Sequence, residues 1–216
     1  MGEEGVVAKT IDFVKKTLKG AEGGHDWFHT QRVFNNSRRI SQSEEVDGLV
    51  VELASLLHDI ADPKFHNGDE SVGPSMAKNF LLGQNVHGNV TEHVVNIIKH
   101  MSFKNSLEKG EKFNSKELQV VQDADRLDAI GAIGIARAFN YGGFKNRELY
   151  NPNVAPNLNM SKEEYKKSSS PTINHFYEKL LLLKDKMNTE TGKKLAEERH
   201  QFMLDYLEQF YKELNT

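Results

Sequence analysis

The sequence contains no cysteine. That excludes a disulfide framework and any thiolate metal site. It suits a reducing compartment, and a cytoplasmic location is the expectation. Neither sign of charge dominates: the formal net charge is -3 at pH 7. The chain therefore lacks the broad basic footprint of a nucleic-acid-binding protein. No apolar run approaches the roughly 20 residues that a membrane-spanning helix needs. The opening residues "MGEEGVVAKT" show no signal-peptide pattern. Val6 stands where a myristoylation site wants Ser or Thr. No fixed-period repeat, no convincing strand pattern and no linker between domains is visible. These absences exclude a disulfide scaffold, a membrane-spanning helix and a repeat array.

What is present is helical periodicity, in a chain of 216 residues that is long enough to bury a real core. Amphipathic helices are expected over residues 5–19, 25–41, 47–59, 70–83 and 89–101. Asp47 is a natural N-cap for the third. A long helix is expected from Ser115 to Tyr141, opened by Asn114 with Glu117 three residues on, a capping-box spacing, and stopped by Gly142-Gly143. Residues 144–169, with Pro152 and Pro156, read as a long surface loop. Ser170-Pro171 should start the next helix. A last helix over 189–214 should present Leu195, Phe202, Met203, Tyr206, Phe210 and Leu214 on one face. The fold class is all-α.

Three stretches carry chemistry. In "ASLLHDIADP", Ala54 to Pro63, an apolar helix runs directly into His58 and Asp59. A buried carboxylate costs several kcal/mol unless something pairs with it, so a structural partner or a metal is required. In "GHDWFHTQRV", His25, His29 and Arg32 fall on one helical face with Phe28. Two histidines one turn apart are a candidate ligand pair, or hydrogen-bonded surface groups. In "VVQDADRLDAIGAIGIARAF", Asp125 and Asp128 sit on a stripe of small residues with Val121, Ala124, Ala132 and Ala136. A solvated charged face would not be lined this way. Imidazole nitrogens with carboxylate oxygens suit Mn, Fe, Co, Ni, Zn or Mg without choosing among them. Helix bundles build such sites in their cores from several helices.

The order H…HD…D across an all-α chain resembles the HD superfamily of metal-dependent phosphohydrolases. Matched residue by residue, the histidine of the "H-x-x-R-V" element falls on His29, the doublet on His58 and Asp59, and the aspartate of "A-D-R-L" on Asp125. Beyond the motif, "HDWFHTQRV", "LLHDIADPKF", "DADRLDAIGAIGIARAF" and "HFYEKLLLLKDKMNTETGKKLAEERHQFM" resemble the branch that includes nucleotide pyrophosphohydrolases. The resemblance covers residues 20 to 213. It implies one HD domain over 1–216, with the motif region at 20–141 and C-terminal helices at 170–214 packed on it.

The resemblance further implies one divalent ion, Mn or Mg in nucleotide-acting members, held by His29, His58, Asp59 and Asp125. The activity implied is hydrolysis of nucleoside triphosphates to monophosphate and pyrophosphate by a metal-activated water. A phosphomonoesterase acting on nucleoside monophosphates, a non-catalytic nucleotide sensor and a purely structural helical protein are the alternatives. Asp62, one turn after His58, is a candidate to position or deprotonate water. Lys64, His100 and Lys104 are candidate cations for phosphate oxygens. Asp128 is a candidate for orienting a ligand or water, and Arg32 a candidate partner for a substrate phosphate or for a buried acid. His66 is a candidate substrate contact on the loop after the doublet, as are Asp69 and Glu70. Arg137 and Lys145 are candidates for the nucleotide end. His87, His93, His175 and His200 read as surface or packing histidines. The expected partner is a small nucleotide, with no nucleic acid and no membrane, and with a homodimer as an allowed assembly.

Overall fold

A computed structural model of the protein describes residues 2–21, 24–61, 66, 68–101, 113–160, 164 and 168–214. Among these residues every regular element is helical and no strand occurs. None of the helices is long and apolar enough to cross a membrane. The helices are α1 (Glu3–Thr17), α2 (Trp27–Ser41), α3 (Gly48–Leu57), α4 (Val72–Gly83), α5 (Gly88–His100), α6 (Lys116–Asp128), α7 (Gly131–Phe144), α8 (Asn174–Glu178) and α9 (Glu190–Leu214). Two 3-10 turns, Leu180–Leu182 and Lys184–Lys186, lie between the last two. The chain forms two compact units, Met1–Asp125 and Arg126–Thr216.

In the first unit α3 is the central element. Its sequence "GLVVELASLL" is apolar on nearly every side, and Val50, Val51 and Leu53 through Leu57 are buried. A helix apolar all round belongs inside a core. It packs against α1, α2 and α5, and α4 packs against α5. Each fully buried Leu there contributes about 1.5–3 kcal/mol relative to exposure. The carboxylate of Asp47 accepts the Val50 N–H at 3.1 Å, so the expected N-cap is in place. The helix ends at His58, which delivers the doublet from the most buried element of the unit.

The expected helix over 115–141 is two helices. Ile130 is extended and Gly131 takes a left-handed φ of +73°, a conformation that ends a helix and favours glycine. At Gly134 a Cβ would stand 2.3 Å from the carbonyl oxygen of Ala129, so the second helix starts in close approach to the end of the first. The cap of α6 also differs by one residue. Ser115 Oγ accepts the Leu118 N–H at 3.1 Å, while Glu117 accepts the main-chain N–H of Asp47 at 3.0 Å and thereby ties α6 to the start of α3.

In the second unit α7 packs against α9. Their aromatic residues, with those of α8, make a cluster in which Phe176 and Tyr206 stack at 6.0 Å and Phe139 lies edge-on to Tyr206 at 6.1 Å. α8 starts at Asn174 rather than at Ser170-Pro171, and it is short. Helix α7 runs through Gly142-Gly143 to Phe144, and Gly142 lies against the Thr172 side chain, where any Cβ would collide. On α9 the buried stripe is Leu195, Ala196, Met203 and Leu207. Phe202 and Leu214, expected on it, are exposed. Thr189 caps α9 by accepting the Gly192 N–H at 2.9 Å.

Candidate metal centre

The site is built from three ends of helices in the first unit. Helix α2 begins at Trp27 because the carboxylate of Asp26 accepts the His29 N–H at 2.8 Å. His25 is therefore outside the helix, and it does not share the helical face on which the periodicity would put it with His29. His29 lies in the first turn of α2 and is buried, 2% exposed. Phe28, its neighbour, is exposed. Two turns further along α2, Asn36 donates to the carbonyl oxygen of Ala124 at 3.2 Å. One helix thus carries His29 and also pins the residue that precedes Asp125.

His29, His58 and Asp125 each offer one ligand atom, and these atoms all lie within 4.8 Å of one another. The His29 Nε2 is 3.6 Å from Asp125 Oδ1. The His29 and His58 rings meet edge-to-face, with centroids 5.4 Å apart. Two donors on one ion, each about 2.1 Å from it, stand no more than about 4.2 Å apart. The three donors are thus within a small side-chain adjustment of a shared cation. The chemistry agrees: two imidazole nitrogens and one carboxylate oxygen form a set that divalent first-row metals accept. His58 Nδ1 is 2.8 Å from the carbonyl oxygen of Ser55. A carbonyl only accepts, so Nδ1 carries the proton and Nε2 carries the lone pair.

Asp59 lies beside this cluster. Its Oδ2 is 2.5 Å from His25 Nδ1. Burial pushes the Asp59 carboxyl up, but the His25 hydrogen bond and the charges of His58, His25 and His29 outweigh it and hold it below the usual carboxylate range. Three imidazoles therefore answer the charge of this half-buried acid. The His25–Asp59 pairing joins residues 34 positions apart, and the only trace of it in the sequence is the histidine four residues before His29.

The other residues singled out from the sequence are more dispersed. His100 ends α5. Its Nδ1 donates to the carbonyl oxygen of Asn96 at 2.8 Å and its ring lies 5.3 Å from that of Phe113, outside the three-residue cluster. Arg32 is half-buried on α2, one turn beyond His29. His66 is exposed and its carbonyl oxygen accepts the Asp69 N–H at 2.9 Å. The Asp69 carboxylate accepts from the main chain and hydroxyl of Ser71, at 2.8 and 2.6 Å, just ahead of α4. Asp128 is buried in the second unit, with its carboxylate held by Arg137 at 2.5 Å. Asp62, Lys64 and Lys104 lie outside the described residues. Of the remaining histidines, His87 accepts the Asn89 N–H at the start of α5, and His93 pairs with the Ser115 hydroxyl at 3.0 Å.

Residues 27–130 match the HD domain family. The chain is 38% identical over 204 residues, 94% of its own length and 90% of the other's, to the uncharacterized protein YpgQ of Bacillus subtilis. Among solved structures, an HD-superfamily hydrolase from Bacillus thuringiensis is 41% identical, with 100% of both chains covered and a TM-score of 0.80. The crystal structure of Bacillus subtilis YpgQ in complex with ADP is 36% identical over 99% of this chain and 97% of that one, with a TM-score of 0.78. All-helical architecture, the convergence of His29, His58 and Asp125 at the end of the buried α3, and likeness along the whole chain lead to one assignment: the protein belongs to the HD superfamily of metal-dependent phosphohydrolases.

Proposed function

We propose that the protein hydrolyses a phosphoanhydride of nucleoside triphosphates, deoxy or ribo, releasing the monophosphate and pyrophosphate. The observation that carries this reading is the convergence of the His29, His58 and Asp125 donor atoms within 4.8 Å. A second support is that a relative 36% identical, YpgQ, has been crystallised with ADP. In this reading His29, His58, Asp59 and Asp125 hold one divalent ion, Mn or Mg. Two imidazole nitrogens favour Mn, because Mg prefers an all-oxygen set. When bound, such an ion supplies Lewis-acid polarisation of phosphate oxygens and lowers the pKa of water.

The protein's own groups do the rest. The Ser55 carbonyl oxygen keeps the proton on His58 Nδ1 and so leaves Nε2 as a donor. Buried His29 keeps bulk water from one side of the site. Asp62 takes the proton of the attacking water on a carboxylate oxygen. Lys64, His100 and Lys104 offset charge on the phosphate oxygens, with Arg32 and His66 further along the bound nucleotide. Asp128, one helical turn from Asp125, orients a ligand or water.

The test is a panel of nucleoside triphosphates, diphosphates and monophosphates with Mn, Mg, Co and Ni, read by product identity. Pyrophosphate from a triphosphate is the expected result. Orthophosphate from a monophosphate would replace the proposal with a phosphomonoesterase, and tight binding without turnover would replace it with a sensor. Asp125→Ala should lose bound metal and activity while the helical circular dichroism signal survives. Full activity in that variant would remove the reading.

A further inference from the structure

The segment "GHDWFH" puts two imidazoles and a carboxylate within five residues, and the fold gives each a separate partner. Asp26 caps α2 through the His29 N–H at 2.8 Å. His29 contributes a nitrogen to the three-donor cluster. His25, two residues before the first residue of the helix, reaches the end of α3, where its Nδ1 meets Asp59 Oδ2 at 2.5 Å. The His25 and His29 rings are 6.1 Å apart and edge-to-face, so His25 stands next to the cluster without belonging to it. Because α2 starts at a capped Asp26, the backbone that presents His25 is anchored. Asp59 lies just beyond the end of α3, and its carboxylate meets His25.

We propose that His25 is a positioning residue: its Nδ1–H holds one oxygen of Asp59 and thereby fixes the carboxylate rotamer that presents the other oxygen to a divalent ion at His29, His58 and Asp125. This rests on the reading of that cluster as a cation site. Ligands oriented by an outer hydrogen bond lose roughly 10–100-fold in metal affinity when the bond is removed. The chemistry is specific to the atom that bonds. The side-chain amide nitrogen of Asn stands near the position of Nδ1, whereas Ala offers no donor.

The experiment measures Mn(II) affinity of the full chain from the electron paramagnetic resonance signal of free Mn(II), with no substrate present. His25→Ala should weaken binding at least tenfold, and His25→Asn should recover most of the loss, at unchanged helical content. Unchanged or tighter binding in His25→Ala would overturn the proposal, because His25 would then be idle or a competitor for Asp59. Failure of Asn to restore what Ala loses would overturn it as well, because the loss would then not come from the missing donor. Asp125→Ala is measured beside them. Wild-type binding that Asp125→Ala abolishes leaves the cation site standing even where His25 proves idle. No binding by the wild type removes the site and this inference together.

Discussion

The proton on His58 Nδ1 is fixed by the carbonyl oxygen of Ser55, 2.8 Å away and one turn back along α3. The bond is local, but it aims the ring of a residue at the end of the most buried helix of its unit. With Nδ1 committed, Nε2 carries the lone pair, which is the state that a metal-binding imidazole needs.

A bound ion should therefore stabilise the folded protein through His58. At Mn(II) one hundred times its dissociation constant, linkage adds about 2.7 kcal/mol. Thermal unfolding with and without Mn(II) should show this as a higher Tm for the wild type and no shift for His58→Ala. An equal shift in both would mean that the ion binds elsewhere.

The Asp128–Arg137 pair makes a stability prediction. The aspartate side chain is 2% exposed and the arginine 28%. Arg137→Met removes the cation that holds this buried carboxylate, at a cost of about 3 kcal/mol or more. The double variant Asp128→Leu/Arg137→Met should recover much of the loss. Urea unfolding of both variants distinguishes this from a surface pair, for which the single change would cost under about 1 kcal/mol.

Gly131 makes a backbone prediction. Its φ is +73°, and a Cβ there would stand 3.0 Å from the Arg199 side chain, whose guanidinium donates to the Leu127 carbonyl oxygen at the end of α6. Gly131→Ala should destabilise by about 1–2 kcal/mol. A stabilised variant, as expected at an ordinary helical glycine, would show that the break between α6 and α7 is not obligatory.

His175 makes a pH prediction. Burial, with the charges of Lys179 and Arg147, pushes its pKa from 6.5 down to about 4. The unfolded chain takes up a proton in that window and the folded chain does not. Stability is therefore full above the unfolded value and declines as pH falls through it toward the folded one, by at most about 1.4 kcal/mol per pH unit. Between pH 7 and 5 the Tm of the wild type should fall more steeply than that of His175→Gln. Parallel curves would refute the assignment.

Periodicity made most of the helices legible, because a core-facing stripe at i, i+3 and i+4 is a local property of the chain. Asp47 and the apolar run from Val50 to Leu57 specify the central helix and its cap without reference to anything distant. The residue types at His29, His58, Asp59 and Asp125 likewise announce oxygen and nitrogen donors wherever they lie. Other features depended on residues far apart in sequence. The break at Gly131 could not be read from "DAIGAIGIARAF", which keeps helical spacing throughout. It depends on a left-handed backbone beside Arg199, whose guanidinium bonds a carbonyl 72 positions away. Phe202 looks like core by spacing and is exposed, because on α9 the buried side is set by what α7 packs against. The partner of Asp59 is the same kind of case. Sequence demanded that something answer a buried carboxylate, but a side-chain hydrogen bond has no periodicity, and only the tertiary structure brings His25 to it.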